Sequence, residues 1–145
     1  MPGNDQLRST HPHPVLGTDA MSGRLLLVDD DDDIRAIARL SLERIGKWDV
    51  EAASSGADAI ELVRADPSFD VVLLDVMMPG LDGPSTLERL RDGVLPDAVP
   101  VIFLTAKIQP ADRDYLNALG AAGVIAKPFD PMGLATEVAR LVGRE

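Results

Sequence analysis

The stretch Leu25-Leu26-Leu27-Val28-Asp29-Asp30-Asp31-Asp32-Asp33 sets a branched apolar run directly against five carboxylates. The apolar half reads as a strand buried on both faces. Packing gives such a strand no reason to end in crowded carboxylates, which repel one another and resist desolvation. A bound cation, helix amides or plain exposure to water would accommodate them. Choosing among these three largely decides what the chain does.

Outward from this junction, apolar runs alternate with helical patterns. Val71–Leu74, Val99–Leu104 and Gly123–Ala126 read as further buried strands, and Trp48–Ala52 as a weaker, alternating edge strand. Ile34, Ile37, Ala38, Ser41, Leu42 and Ile45 fall on one helical face, which Gly46 stops. Ser55-Gly56-Ala57-Asp58 fits a capping box ahead of Ala59–Val63. Asp82 caps a helix over Pro84–Leu90, and Pro110 opens one reaching Leu119, with Gly120 as its stop. Asp130-Pro131 predicts the start of a last helix running to about Val142. Strand and helix thus alternate five times, the pattern of an α/β fold with a parallel sheet covered on both faces.

Composition narrows the function classes. The 145 residues suffice for one ordinary domain, and 46% hydrophobic content supplies a core that must be aliphatic, since aromatics are only 3%. A net charge of −10 argues against nucleic acid or an anionic membrane as the main partner. The absence of cysteine excludes thiolate chemistry and Cys-ligated zinc. No apolar run approaches a membrane span and the N-terminus has no secretory pattern, so the expected location is cytoplasmic. Residues 1–22 have the composition of a flexible tail, and 23–145 form the expected domain. His11 and His13 lie in that tail without a third ligand, and Met21 is a candidate alternative start.

In sheets of this kind ligands bind at the carboxyl ends of the strands, where strand order reverses. Asp29 and Asp30 stand at the first such end, Asp75 at the third, Thr105 at the fourth and Lys127 at the fifth. Clustered carboxylates form a hard-oxygen site suited to Mg²⁺, with Mn²⁺ a second fit. A hydroxyl and an ammonium beside the ion suit the oxygens of a phosphoryl group. With that charge neutralised, a carboxylate can act as nucleophile and form an acyl phosphate. Asp75, alone at the end of a highly apolar strand, is the best-placed nucleophile. An EF-hand calcium loop starting at Asp29 fails, because its sixth and twelfth positions are Ile34 and Leu40 instead of Gly and Glu. Asp32 and Asp33 are expected to cap the first helix and oppose its dipole, leaving Asp31 at the rim.

Val28-Asp29-Asp30, Leu74-Asp75-Val76-Met77-Met78-Pro79-Gly80-Leu81-Asp82-Gly83, Leu104-Thr105-Ala106 and Lys127-Pro128-Phe129 occur in that order. Together they resemble the receiver domain of bacterial two-component response regulators, in its stand-alone, chemotaxis-regulator-like form. The resemblance runs from about Arg24 to Arg144. It implies a doubly wound, flavodoxin-like sheet of order 2-1-3-4-5. It also implies phosphate transfer from a sensor histidine kinase to Asp75, with Mg²⁺ held by Asp30, Asp75 and the Met77 backbone carbonyl, and by Asp29 mainly through water. Thr105 and Lys127 would contact the phosphoryl oxygens, and the Lys127–Pro128 bond would be cis. Catalysis would be limited to the chain's own phosphorylation and dephosphorylation. Output would pass to an effector protein or a histidine phosphotransfer protein, from a monomer or weak homodimer that binds neither nucleic acid nor membrane. The last helix ends near the final residue, which fits a single-domain regulator.

Lys107 is expected at the site rim, Met78 in the core, Met77 with its side chain at the rim, Tyr115 on the fourth helix and Trp48 near the sheet edge. One position departs from the family. Many members carry an aromatic residue three before the lysine, and here it is Val124. Valine has no ring to swing, so a response carried by the loop and helix after the fourth strand is expected. Two rival classes remain. A haloacid-dehalogenase-like phosphatase or phosphotransferase needs an aspartate where Met77 stands. A phosphorylation-independent binding module would not need the full set of Asp29, Asp30, Asp75, Thr105 and Lys127.

Overall fold

The computed structural model describes residues 22–144, whose elements follow strictly in alternation. They are β1 (Gly23–Val28), α1 (Asp32–Arg44), β2 (Trp48–Ala53), α2 (Gly56–Ala65), β3 (Val71–Asp75), α3 (Gly83–Arg91), β4 (Val101–Thr105), α4 (Pro110–Ala118), β5 (Gly123–Ala126) and α5 (Leu134–Leu141). All pairings are parallel and the strand order is β2-β1-β3-β4-β5. This is the doubly wound order expected from the sequence. The expected tail, with His11, His13 and Met21, lies outside the described residues except at its last position. Ser22 donates its amide to Lys47 O at 2.9 Å, so contact with the fold begins one residue earlier than composition suggested.

The period of two along each strand divides the core. Leu26, Val28, Val72, Leu74, Val101, Phe103 and Val124 face the side covered by α2, α3 and α4. Leu25, Leu27, Val71, Leu73, Ile102, Leu104 and Ile125 face the side covered by α1 and α5. The continuous apolar runs are thus explained, since both faces of the inner strands are dry. β2 is an edge strand, and its exposed Asp49 between buried Trp48 and Val50 shows the alternation of a strand wet on one side.

Three local expectations need correction. The α1 stripe is narrower than the periodicity implied: Ala38, Ser41 and Leu42 are buried, whereas Ile37 is 47% and Ile45 43% exposed. Ile37 stands about 100° around the helix from Ala38, at the margin of the stripe. Ile45 is the C-cap residue, where the chain already turns away. The cap of α1 is Asp31, whose side chain accepts from the amides of Asp33 at 2.9 Å and Ile34 at 3.1 Å. Asp32 and Asp33 occupy the first turn, where their charge opposes the dipole without capping. Asp130-Pro131 forms a turn instead of the first turn of α5. Asp130 accepts from the Met132 amide through its side chain and from Gly133 and Leu134 through its carbonyl, and the helix begins at Leu134.

Candidate functional site

Strand order reverses between β1 and β3, because the chain leaves β1 for β2 on one side and returns to β3 on the other. The crevice at their carboxyl ends is where such sheets leave room for a ligand. Asp29 follows β1 directly, Asp75 is the last residue of β3, and β5 runs into Lys127. Strand parity explains their meeting. Asp29, Asp75 and Lys127 continue the positions that face α1 and α5, whereas Thr105 continues those that face the opposite helices. The Lys127 ammonium lies 2.8 Å from Asp29 Oδ2 and 3.1 Å from Asp75 Oδ1. The Lys127–Pro128 peptide bond is cis.

The acidic groups are crowded. One ligand atom from each of Asp29, Asp30 and Asp75 lies within 4.8 Å of the others. Asp29 is fully buried and Asp75 is 3% exposed, while Asp30 faces solvent. Asp29 Oδ1 accepts from the Asp31 amide at 2.9 Å. Its Oδ2 has no well-directed hydrogen bond among the described residues, and Lys127 meets it as a nearby charge. Burial first, and then the Asp29 carboxylate, push the Asp75 carboxyl up to about 6, against the pull of Lys127 and the Met77 amide. Burial disfavours the Lys127 ammonium, yet the two carboxylates outweigh it and hold its pKa above the usual lysine value. One lysine therefore does not balance the buried negative charge. A hard cation fits what is missing: three convergent carboxylates, one with a buried and poorly satisfied oxygen, and a solvent-facing side at Asp30.

The surrounding loops hold this geometry. The Met77 amide donates to Asp75 Oδ1 at 3.3 Å, and the Gly83 amide to Val76 O at 2.9 Å. Gly83 permits that closure, since a Cβ there would stand 2.4 Å from the Asp75 carbonyl oxygen. Thr105 is buried, and its hydroxyl accepts from the Lys107 amide at 2.9 Å. Lys107 is exposed, Met77 is exposed, Met78 is buried in the core, and Val124 is buried beside the Phe103 and Leu116 side of the sheet. Tyr115 is exposed on α4 and Trp48 is buried near the edge.

Two supports escaped the sequence reading. Arg35 donates to the Asp29 carbonyl at 2.8 Å and pairs with Asp32 at 2.6 Å, fastening the aspartate run to α1. Its place three residues after Asp32 was the available clue. Ser41 donates to the Pro131 carbonyl and fastens the turn after β5 to α1. Nothing in sequence joins positions so far apart.

A parallel α/β sheet with this acidic pocket at its switch point defines a class of signalling domain, and comparison with known proteins agrees. The model of the response regulator receiver domain matches residues 25–139, and the chain belongs to that family. The chain is 41% identical over 120 residues to the transcriptional regulatory protein CseB of Streptomyces coelicolor, covering 83% of this chain and 49% of CseB. It is 37% identical over 120 residues to the response regulator SaeR of Staphylococcus epidermidis, covering 83% of this chain and 50% of SaeR. It superimposes on the chemotaxis protein CheY4 of Vibrio cholerae with a TM-score of 0.76 and 31% identity, over 84% of this chain and 99% of that one. The chain thus spans about half the length of the curated relatives it matches. Receiver domains of this family act in two-component signalling as modules that are generally not enzymes, and they bind Mg²⁺ through an acidic pocket. No helix among the described residues is long and apolar enough to cross a membrane.

Proposed function

We propose that Asp75 is the phosphoacceptor of a Mg²⁺-dependent phosphorelay step, taking its phosphoryl group from the phosphohistidine of a sensor histidine kinase. The observation that carries this reading is the placement of Asp75: a buried carboxylate facing both a lysine ammonium and a second buried carboxylate at the strand-order switch point. Mg²⁺ would be held by Asp30, Asp75 and the Met77 carbonyl, with Asp29 contributing mainly through water, and Mn²⁺ would serve the same donors. The ion supplies charge neutralisation, so that an anionic carboxylate can approach an anionic phosphoryl group. Lys127 and the Thr105 hydroxyl would take the phosphoryl oxygens. The donor protein would approach over α1, which exposes Ile37 and Leu40 and is fastened through Ser41 to the turn after β5. Exposed apolar side chains on a helix suit a helical protein partner better than a small molecule.

The rest of the reading follows from Asp75. Residues 23–145 act as the receiver unit. Catalysis is confined to the chain's own phosphorylation and dephosphorylation, in the cytoplasm. The phosphorylated form signals to an effector protein or hands its phosphoryl group to a histidine phosphotransfer protein. Incubation with acetyl phosphate and Mg²⁺, followed by intact mass, tests the central claim. A gain of about 80 Da is expected. Absence of that gain, or its survival in Asp75→Ala, would overturn the assignment.

A further inference from the structure

Met77 and Met78 are neighbours in sequence with opposite environments: Met77 is 61% exposed and Met78 only 7%. Met132, in the turn between β5 and α5, is 74% exposed. No cysteine anywhere in the 145 residues competes for an oxidant. Met77 also stands at the pocket itself, since its amide donates to Asp75 Oδ1 at 3.3 Å. An accessible thioether is therefore tied by one peptide unit to the group read above as phosphoacceptor.

We propose that Met77 is a peroxide-sensitive modification site whose sulfoxide shortens the life of a phosphoryl group on Asp75; the proposal rests on the phosphoacceptor reading above. A lone pair of the Met77 sulfur attacks one oxygen of a hydroperoxide. The S–O bond forms as the O–O bond breaks, the sulfur loses two electrons, and the peroxide leaves as water or an alcohol after proton transfer. The product replaces a flexible apolar side chain with a polar one, and the change is reversible by methionine sulfoxide reduction. At the rim, a thioether offers water almost nothing to bind. A sulfoxide oxygen is a strong acceptor that recruits water beside the acyl phosphate, and hydrolysis consumes that water. Met78 is an internal control, because the core around it shields an identical side chain.

The test combines peptide mapping with a lifetime. The protein is treated with limiting hydrogen peroxide, mapped by mass spectrometry, then phosphorylated with acetyl phosphate and Mg²⁺ and followed after donor removal. Oxygen is expected on Met77 and Met132 well before Met78, with a several-fold faster loss of phosphate from the oxidised protein. In Met77→Leu, where Met132 still oxidises, peroxide should leave the lifetime unchanged, and methionine sulfoxide reductase should restore the wild-type lifetime. Oxidation of Met78 ahead of Met77, or the same peroxide effect in Met77→Leu, overturns the proposal. So does an unchanged lifetime in oxidised wild type. Failure of the untreated protein to take up phosphate overturns the phosphoacceptor reading as well, a result distinct from normal uptake that peroxide does not affect.

Discussion

Asp75 is held in a state that costs stability when no cation balances it. Its carboxyl titrates at about 6, whereas an unfolded aspartate titrates near 3.9. A raised carboxyl pKa means that the folded chain binds this proton more tightly than the unfolded chain. Stability from this group is therefore greatest below about pH 4 and is lost as pH rises through about 6. In metal-free buffer at pH 7.5, Asp75→Asn should raise the unfolding free energy by about 1–2 kcal/mol, with the gain shrinking toward pH 4. Urea titrations of both proteins across that range check the sign. Lys127 has the converse role. Lys127→Met removes the ammonium that meets both buried carboxylates, and should destabilise the metal-free protein by about 2–4 kcal/mol. Millimolar Mg²⁺ should recover much of that loss if the pocket binds it, and thermal melts with and without the ion would reveal a failure. Both substitutions address charge that strand parity brings together, which explains why these residues could be picked from sequence. Each is the first polar residue after an apolar run, and in a parallel sheet those positions share one edge.

Elements were legible where pattern and cap coincided, and misread where a cap signature had two uses. Ser55 and Asp82 stand directly before their helices and accept the expected amide hydrogen bonds. Asp130 carries the same signature but closes a turn, because an Asx turn and an N-cap use the same short acceptor. The aspartate run shows this ambiguity over consecutive positions, any of which could have capped α1. Asp31→Ala should cost about 1 kcal/mol of stability, and Asp33→Ala about half of that, since only the first removes hydrogen bonds to helix amides. Equal losses would contradict the assignment of Asp31 as the cap. The exposure of Ile37 was not legible either, since periodicity finds the centre of a stripe but not its width. α4 is the least anchored helix described, with Leu116 its single buried side chain and no side-chain cap at Gln109. Hydrogen exchange should find the amides of Arg113–Ala118 the least protected among the helices described.

At the scale of the whole molecule, Val124 bears on how a change at the pocket spreads. It is packed among Phe103 and Leu116 at 6% exposure, on the face opposite Asp75. Val124 is buried in that cluster, so Val124→Tyr should destabilise the protein by about 1–3 kcal/mol through overpacking, as measured by urea unfolding. A neutral or stabilising result would mean that the site can house a ring after all. With valine in place, Thr105 reaches the surface most directly through the Lys107 amide and the loop into α4. The sequence shows the missing ring, whereas the burial of the valine beside Phe103 and Leu116 comes from three elements meeting in space. Arg144 supplies a different long-range tie. Its guanidinium donates to the Ser22 carbonyl, lies 3.5 Å from Asp70 and sits over the Trp48 ring at 5.5 Å. Ser22 and Arg144 are therefore clasped together at the pole away from the aspartates. A circular permutant of residues 22–144, spliced by a short linker across that clasp and reopened in the exposed turn at Asp97-Ala98, would keep every strand and the pocket intact. The order in which the elements leave the ribosome could thus be rewritten without moving Asp29, Asp75 or Lys127.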